Sequence, residues 1–265
     1  MLELCVIGSG NMGKAMVRGI AAAGILSPDQ IIMTDIDINK AKMISEELHI
    51  HAGCDNMEAV KNSHIVILAV KPQFFGSVID SFREAVRPDT ILVSIAPGKT
   101  LAQLGEQFPE GTKIIRAMPS TPAMVLEGMT GFCGNPFVTK EEMEQVKRLF
   151  EGFGKAEIVS ERDMDAVVAV SGSSPAYVCL FIEALADAAV LEGMGRAQAY
   201  VFAEQAIMGS AKLLMERKMH PGELKDMVCS PGGTTIEAVQ VLEDRGFRGT
   251  IMQAVEACVR KSREL

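Results

Sequence analysis

Along the first two-thirds of the chain, short unbroken apolar runs alternate with stretches of helical spacing. Leu2 to Ile7 is the first run, and Met12 to Ala23 then repeats apolar residues at helical intervals. Ser27-Pro28-Asp29 punctuates the pattern, and Gln30 to Thr34 predicts a second buried strand ending at Asp35. Asn39 to Leu48 predicts a helix, Ile50 to Cys54 a strand, and Asn56 to Lys61 another helix. Ile65 to Val70 is apolar throughout and rich in β-branched residues, as a central parallel strand requires. Ile91 to Ile95 and Lys113 to Met118 repeat that pattern. Such alternation predicts an α/β fold with a doubly wound parallel sheet of Rossmann type.

The pattern changes after about Ser160. From Met164 on, the chain reads as helices: Pro175 to Met194, Arg196 to Arg217, a short helix from Pro221 to near Val228, Ile236 to Asp244, and Ile251 to Arg263. The expected organisation is a dinucleotide-binding domain over residues 1–160 and an all-helical domain over 161–265. Pro175 to Met194 is apolar on nearly every side, which predicts that a partner chain completes its burial. Glu183, Asp187 and Glu192 interrupt it, so a membrane span is not expected there.

Composition narrows the class. The chain has 265 residues, 48% of them hydrophobic, and a formal charge of −8. That is enough for a sizeable core and speaks against nucleic acid or an anionic membrane as partner. Six scattered cysteines form no C-x-x-C pair, and Met1-Leu2-Glu3-Leu4 lacks the basic region of a signal peptide. Both features predict a cytoplasmic protein with reduced thiols and no metal site.

Gly8-Ser9-Gly10-Asn11-Met12-Gly13 is a G-x-G-x-x-G sequence set between a strand and a helix. Its glycines would serve, in order, the tight turn, the approach to a pyrophosphate and the packing of helix on strand. Asp35, 22 positions after Gly13, is placed to accept hydrogen bonds from an adenosine ribose and to repel a 2′-phosphate. The cofactor is therefore NADPH or NADH, with Asp35 favouring NADH. Asp37 is an alternative ribose acceptor, and either acid is equally a solvated turn residue. Ala69-Val70-Lys71-Pro72 and Ile95-Ala96-Pro97-Gly98 end strands on the same edge and would line the nicotinamide side. Lys71 either neutralises charge or orients substrate there, or is a surface lysine before a strand-stopping proline. Asn56 either caps a helix or touches the ribose.

A second anion site is written near the end of the chain. Ser230-Pro231-Gly232-Gly233-Thr234-Thr235 crowds glycines and hydroxyls at a helix start, and Thr234 with Glu237 has capping-box spacing. A carboxylate docked on the Gly232–Thr235 amides would be held by the helix dipole, with the Thr235 hydroxyl beside it.

Six blocks in this order resemble the pyrroline-5-carboxylate reductase family over essentially the whole chain. They are Gly8 to Gly13, Ala69 to Gln73, Arg116-Ala117-Met118-Pro119-Ser120-Thr121-Pro122, Ser171-Gly172-Ser173-Ser174-Pro175-Ala176-Tyr177, His220 to Asp226, and Ser230 to Thr235. The resemblance implies reduction of a cyclic imine to L-proline by NAD(P)H. It implies a helical domain that interlocks with a second protomer, in dimers or rings of dimers. Cofactor contacts would match Gly8 to Gly13, Asn56, Ala69 to Pro72 and Ala96, and the substrate carboxylate would sit on Ser230 to Thr235. No histidine stands out as an acid, so Thr235 is expected to hydrogen-bond the ring nitrogen, directly or through water.

Two positions depart from the family pattern. Ser120 stands where Asn is common, which puts an amide contact there in doubt, and Asp35 stands where many members carry small hydroxyl residues. A β-hydroxyacid dehydrogenase is the nearest rival, but Ser171 to Ala184 lacks the lysine such enzymes use. A nicotinamide sensor would have no need of the second anion site.

Overall fold

The computed structural model describes residues 2–264. The chain divides into two compact units. The first comprises residues up to Ser173 together with those from Cys258 on, and the second is Ser174–Ala257.

In the first unit, β1 (Leu2–Ile7), α1 (Asn11–Ala22), β2 (Ile31–Thr34), α2 (Ile38–Leu48), β3 (His51–Gly53), α3 (Asn56–Lys61) and β4 (Ser63–Leu68) form the leading half. There follow α4 (Phe75–Asp80), β5 (Ile91–Ser94), α5 (Leu101–Gly105), β6 (Lys113–Pro119), β7 (Gly128–Gly134), α6 (Lys140–Glu151), β8 (Gly154–Ile158) and α7 (Met164–Val167), which runs into a π-helical turn at Val168–Gly172. The strands form one sheet in the order β3-β2-β1-β4-β5-β6-β7-β8. All pairings are parallel except that of β6 with β7, so the expected parallel sheet carries one antiparallel pair at the hairpin-like return after Pro119.

Strand alternation explains the two layers. Leu4 and Val6 of β1 share one face with Ile65, Ile67 and the apolar side of α1. Cys5, Ile7, Val66 and Leu68 point the other way, into a second core with Phe75, Ile79 and Phe82. Because both faces are buried, the central strands are mostly apolar rather than alternating. Arg116 of β6 is a charged residue buried among them. Only 5% exposed, it lies 3.6 Å from Glu161 and 3.7 Å from Asp165. Asp165 also accepts from the Ser262 hydroxyl at 2.9 Å, so this charge cluster fastens the chain's last turn to the sheet.

The second unit is helical: α8 (Ser174–Leu191), α9 (Arg196–Arg217), α10 (Pro221–Val228), α11 (Thr234–Asp244) and α12 (Phe247–Ser262), whose last turn belongs to the first unit. Its buried hydrophobic residues are Ala186, Ala199 and Ala203, small side chains that let α8 and α9 approach closely. Phe181 and Phe247 pack at a tilt, with ring centroids 6.0 Å apart. Leu180, Val201, Phe202, Met208 and Leu191 are all exposed in the chain. The stretch Glu161–Leu191 is long and apolar enough to cross a membrane by length and composition, and its most apolar part is almost entirely unburied in the chain.

Candidate active site

The glycine-rich turn sits at the carboxyl edge of the sheet, where α/β folds bind ligands. Gly8 has φ +109°, and a Cβ there would lie 2.5 Å from the Ala69 carbonyl oxygen. A Cβ on Gly13 would lie 2.1 Å from the Gly8 carbonyl oxygen. A Cβ on Gly10 would meet nothing within 4 Å. Two glycines are thus dictated by protein packing, while the middle one faces open space of the kind a pyrophosphate needs. Gly10 is also the N-cap of α1 and caps nothing with a side chain, so the first-turn amides of Asn11, Met12 and Gly13 are available to an anion.

The other predicted cofactor residues gather on this edge. The Ser9 amide and hydroxyl both donate to Asp35 Oδ2, at 2.8 and 2.6 Å, and the Asp37 amide donates to Oδ1 at 3.0 Å. Burial opposes the Asp35 charge, but these bonds outweigh it and hold the carboxyl below its ordinary range. Asp37 caps α2 through the Asn39 amide, so its carboxylate already has a structural use. Asn56 lies at the start of α3, but Asp55 caps that helix, by accepting from Glu58 N–H. The Asn56 amide instead accepts from the Thr34 hydroxyl at 2.7 Å and donates to Ser81 at 3.0 Å.

Ala69 N–H donates to the Ile7 carbonyl at 2.8 Å, which fixes Ala69 and Val70 beside Gly8. Lys71 and Pro72 are exposed and open a 3-10 turn. Ala96 is buried at the end of β5, its amide donating to the Ser94 hydroxyl at 3.3 Å. Ser120 is buried and accepts from the Met129 amide at 2.9 Å, which gives it a structural role at the start of β7. Sequence reading missed the Ser9–Asp35 clamp and the contributions of Thr34 and Ser81. Their only signal was hydroxyl residues near strand and helix ends.

In the second unit, Ser230 to Thr235 forms a Pro-Gly turn. Gly232 has φ +64°, and the Gly233 amide donates to the Ser230 carbonyl at 3.0 Å. The expected capping box on Thr234 does not form. Gly233 is the N-cap in extended conformation, with no side-chain cap, and α11 begins at Thr234. A glycine cap leaves both threonines inside the first turn. Their amides have no intrahelical acceptor and their hydroxyls no partner among the described residues, while the Gly233 amide is spent on the turn.

A Rossmann sheet with a glycine-rich turn and an acidic partner at the end of β2 is the construction of a nicotinamide-dinucleotide oxidoreductase. Residues 3–98 accordingly match the family model described as NADP oxidoreductase, coenzyme F420-dependent, and residues 161–265 match that for pyrroline-5-carboxylate reductase dimerisation. The chain is 49% identical over 259 residues to pyrroline-5-carboxylate reductase of Escherichia coli (strain K12), covering 98% of this chain and 96% of that protein. It is 41% identical to the enzyme of that name from Methanosarcina acetivorans, with the same coverage. The solved pyrroline-5-carboxylate reductase of Coxiella burnetii superposes with a TM-score of 0.95 at 32% identity, over 99% of this chain and 98% of that one. The Plasmodium falciparum structure, with NADP bound, gives 0.88 at 33% identity, over 99% and 97%. The chain belongs to the pyrroline-5-carboxylate reductase family.

Proposed function

We propose that the chain reduces 1-pyrroline-5-carboxylate to L-proline, the last step of proline biosynthesis. The observation that carries the substrate assignment is the unengaged anion nest at Thr234 and Thr235, beyond the turn from Ser230 through Gly232 and Gly233. Its amides suit the imine's carboxylate and the Thr235 hydroxyl suits the ring nitrogen, directly or through water. The bond to the ring nitrogen polarises the imine toward attack, while the amides fix its orientation through the carboxylate. Each histidine already has a local place: His49 is the C-cap of α2, His51 contacts the Asp29 carbonyl, His64 lies on Glu3, and His220 caps α10.

Bound NAD(P)H supplies the hydride. Gly8 to Gly13 would hold its pyrophosphate, Asp35 and Asn56 its ribose, and Ala69, Val70, Lys71, Pro72 and Ala96 the nicotinamide side. Asp35 supports NADH over NADPH, since its carboxylate would accept from a ribose hydroxyl and repel a 2′-phosphate. The free thiols of all six cysteines support a reducing, cytoplasmic setting. We assign the exposed apolar faces of α8 and α9 to a second copy of the chain, as dimers or rings of dimers. Light scattering of the purified chain reads that mass directly, and a monomer at micromolar concentration would remove the assignment.

The activity is tested by following oxidation of NADH and of NADPH with pyrroline-5-carboxylate present. Turnover with at least one cofactor is expected, and Thr235→Ala should lower kcat/KM by about tenfold or more. Imine-independent oxidation, or none, would overturn the reading. Unchanged kinetics in Thr235→Ala would remove that residue from the mechanism.

A further inference from the structure

We infer that His220 is a positioning residue for the substrate loop, acting through α10; this rests on the assignment of Ser230 to Thr235 to the imine carboxylate. The His220 Nδ1 accepts from the Gly222 amide at 3.1 Å, so the imidazole serves as the N-cap acceptor of α10. A Cβ on Gly222 would come within 3.1 Å of that nitrogen, and the glycine leaves the ring its place. The His220 carbonyl takes the amides of Glu223 and Leu224, at 3.0 and 3.3 Å, so the residue closes the helix start with both its backbone and its side chain.

This cap matters because α10 has little else to hold it. It is eight residues long, a length that is marginal alone, and none of those residues is buried in the chain. Its far end is joined almost directly to the loop. The Cys229 amide donates to the Lys225 carbonyl at 3.0 Å, so helical hydrogen bonding continues to within one residue of Ser230. The Ser230 carbonyl then receives the Gly233 amide, and Gly233 is the N-cap of α11. The anion nest is therefore strung between two helices, and fraying of α10 moves the residue that sets Gly233. A Cβ on Gly233 would lie 2.5 Å from Ser230 Oγ, which shows how closely those two residues fit.

The test is steady-state kinetics on the full-length enzyme with His220→Ala, His220→Asn, His220→Ser and His220→Gln. Asn and Ser retain an acceptor at capping distance, whereas Ala has none and Gln reaches past it. The expected result is a KM for pyrroline-5-carboxylate raised about three- to tenfold in Ala and Gln, on the scale of one lost cap. Asn and Ser should restore it, with kcat and the cofactor KM nearly unchanged throughout. A residue needed only for folding would lower the active fraction and so kcat, leaving KM alone. Should His220→Ala be too unstable to purify, Gln against Asn makes the same comparison. Equal imine KM across the series, or a rise shared by Asn and Ser, overturns the inference. Thr235→Ala measured alongside separates the two levels. If it raises the imine KM while His220→Ala does not, only the role of His220 falls. If neither does, the loop assignment itself falls.

Discussion

The Ser9 hydroxyl lies 2.6 Å from Asp35 Oδ2, and the Ser9 amide reaches the same oxygen at 2.8 Å. One acid thus does two things: it ends β2 where a ribose would lie, and it clamps the turn that would hold the pyrophosphate. Of the roughly four acceptor positions on a carboxylate, three are used within the protein, which leaves about one for a ribose hydroxyl. Asp35→Ser should therefore shift the NADPH-to-NADH ratio of kcat/KM upward by about tenfold or more, while lowering affinity for both cofactors. Ser9→Ala loosens the clamp without changing the charge, so it should raise both cofactor KM values with little change in their ratio. Competition kinetics with the two cofactors checks this; an unchanged ratio in Asp35→Ser would sink the assignment.

Gly10 and Gly13 should fail in opposite ways. An alanine at Gly13 drives its Cβ into the Gly8 carbonyl oxygen, and backbone must shift to admit it. The cost should be about 3 kcal/mol or more, at the upper end for overpacking. Gly10→Ala meets nothing in the protein and should keep the wild-type Tm within a degree or so. Its cost should instead appear in cofactor binding, as a Kd raised about tenfold or more by titration of NADH fluorescence. Equal destabilisation of the two variants would contradict the packing argument.

Thr130 points to a small reserve of stability. Its hydroxyl is buried on β7 with no hydrogen-bond partner, and an unsatisfied polar group of that kind costs about 1–3 kcal/mol. Thr130→Val should stabilise the protein by about 1 kcal/mol, seen as a Tm a few degrees higher by calorimetry. A lower Tm would mean that the hydroxyl has a partner in solution.

These residues also mark what sequence could and could not reveal. β1, β4, β5 and β6 were legible because both faces of each are buried, leaving short runs that are mostly apolar. β7 was not, since Gly128, Gly131 and Gly134 interrupt its apolar pattern. Yet Gly131 is there because a Cβ would lie 2.7 Å from Val167 Cγ1, a tertiary demand invisible in a local window. The glycine motif and Asp35 were readable as types at a spacing, but the Ser9 clamp depends on two loops meeting. At Thr234 the spacing of a capping box was present, and the extended Gly233 took the cap instead. The exposed apolar surface of α8 was readable directly, because a helix with so little polar face states its need for cover in its own composition.

Acid should weaken the first unit through Glu142. Burial opposes its charge, but Lys113 and the Thr139 amide outweigh that and depress its carboxyl below the ordinary value of 4.5. A carboxylate with a depressed folded-state value contributes stability that is present above its unfolded value and lost as pH falls through the folded one. Glu142→Gln keeps an acceptor for the Thr139 amide but removes the ion pair. The variant should be less stable than wild type at pH 7, and the gap should narrow as pH falls below the unfolded value and close once pH has passed the depressed folded one. Parallel Tm curves across that range would contradict it.

Thiol accessibility joins the single-chain structure to the assembled enzyme. Burial pushes Cys5 up to about 12 and, with Glu161, Cys133 up to about 11, so neither supplies thiolate at neutral pH. Cys54 and Cys179 are both exposed in the chain and should be equivalent toward a thiol reagent if the chain were alone. Cys179, however, lies on α8 among the apolar residues assigned to a second copy, whereas Cys54 follows β3 at the sheet edge. In the native enzyme Cys54 should therefore label within minutes, and Cys179 should be protected by about tenfold or more until the assembly is dissociated. Mass spectrometry of the labelled peptides reads each site separately. Rapid labelling of Cys179 in a sample shown by light scattering to be dimeric would place the interface on another face of the helical unit.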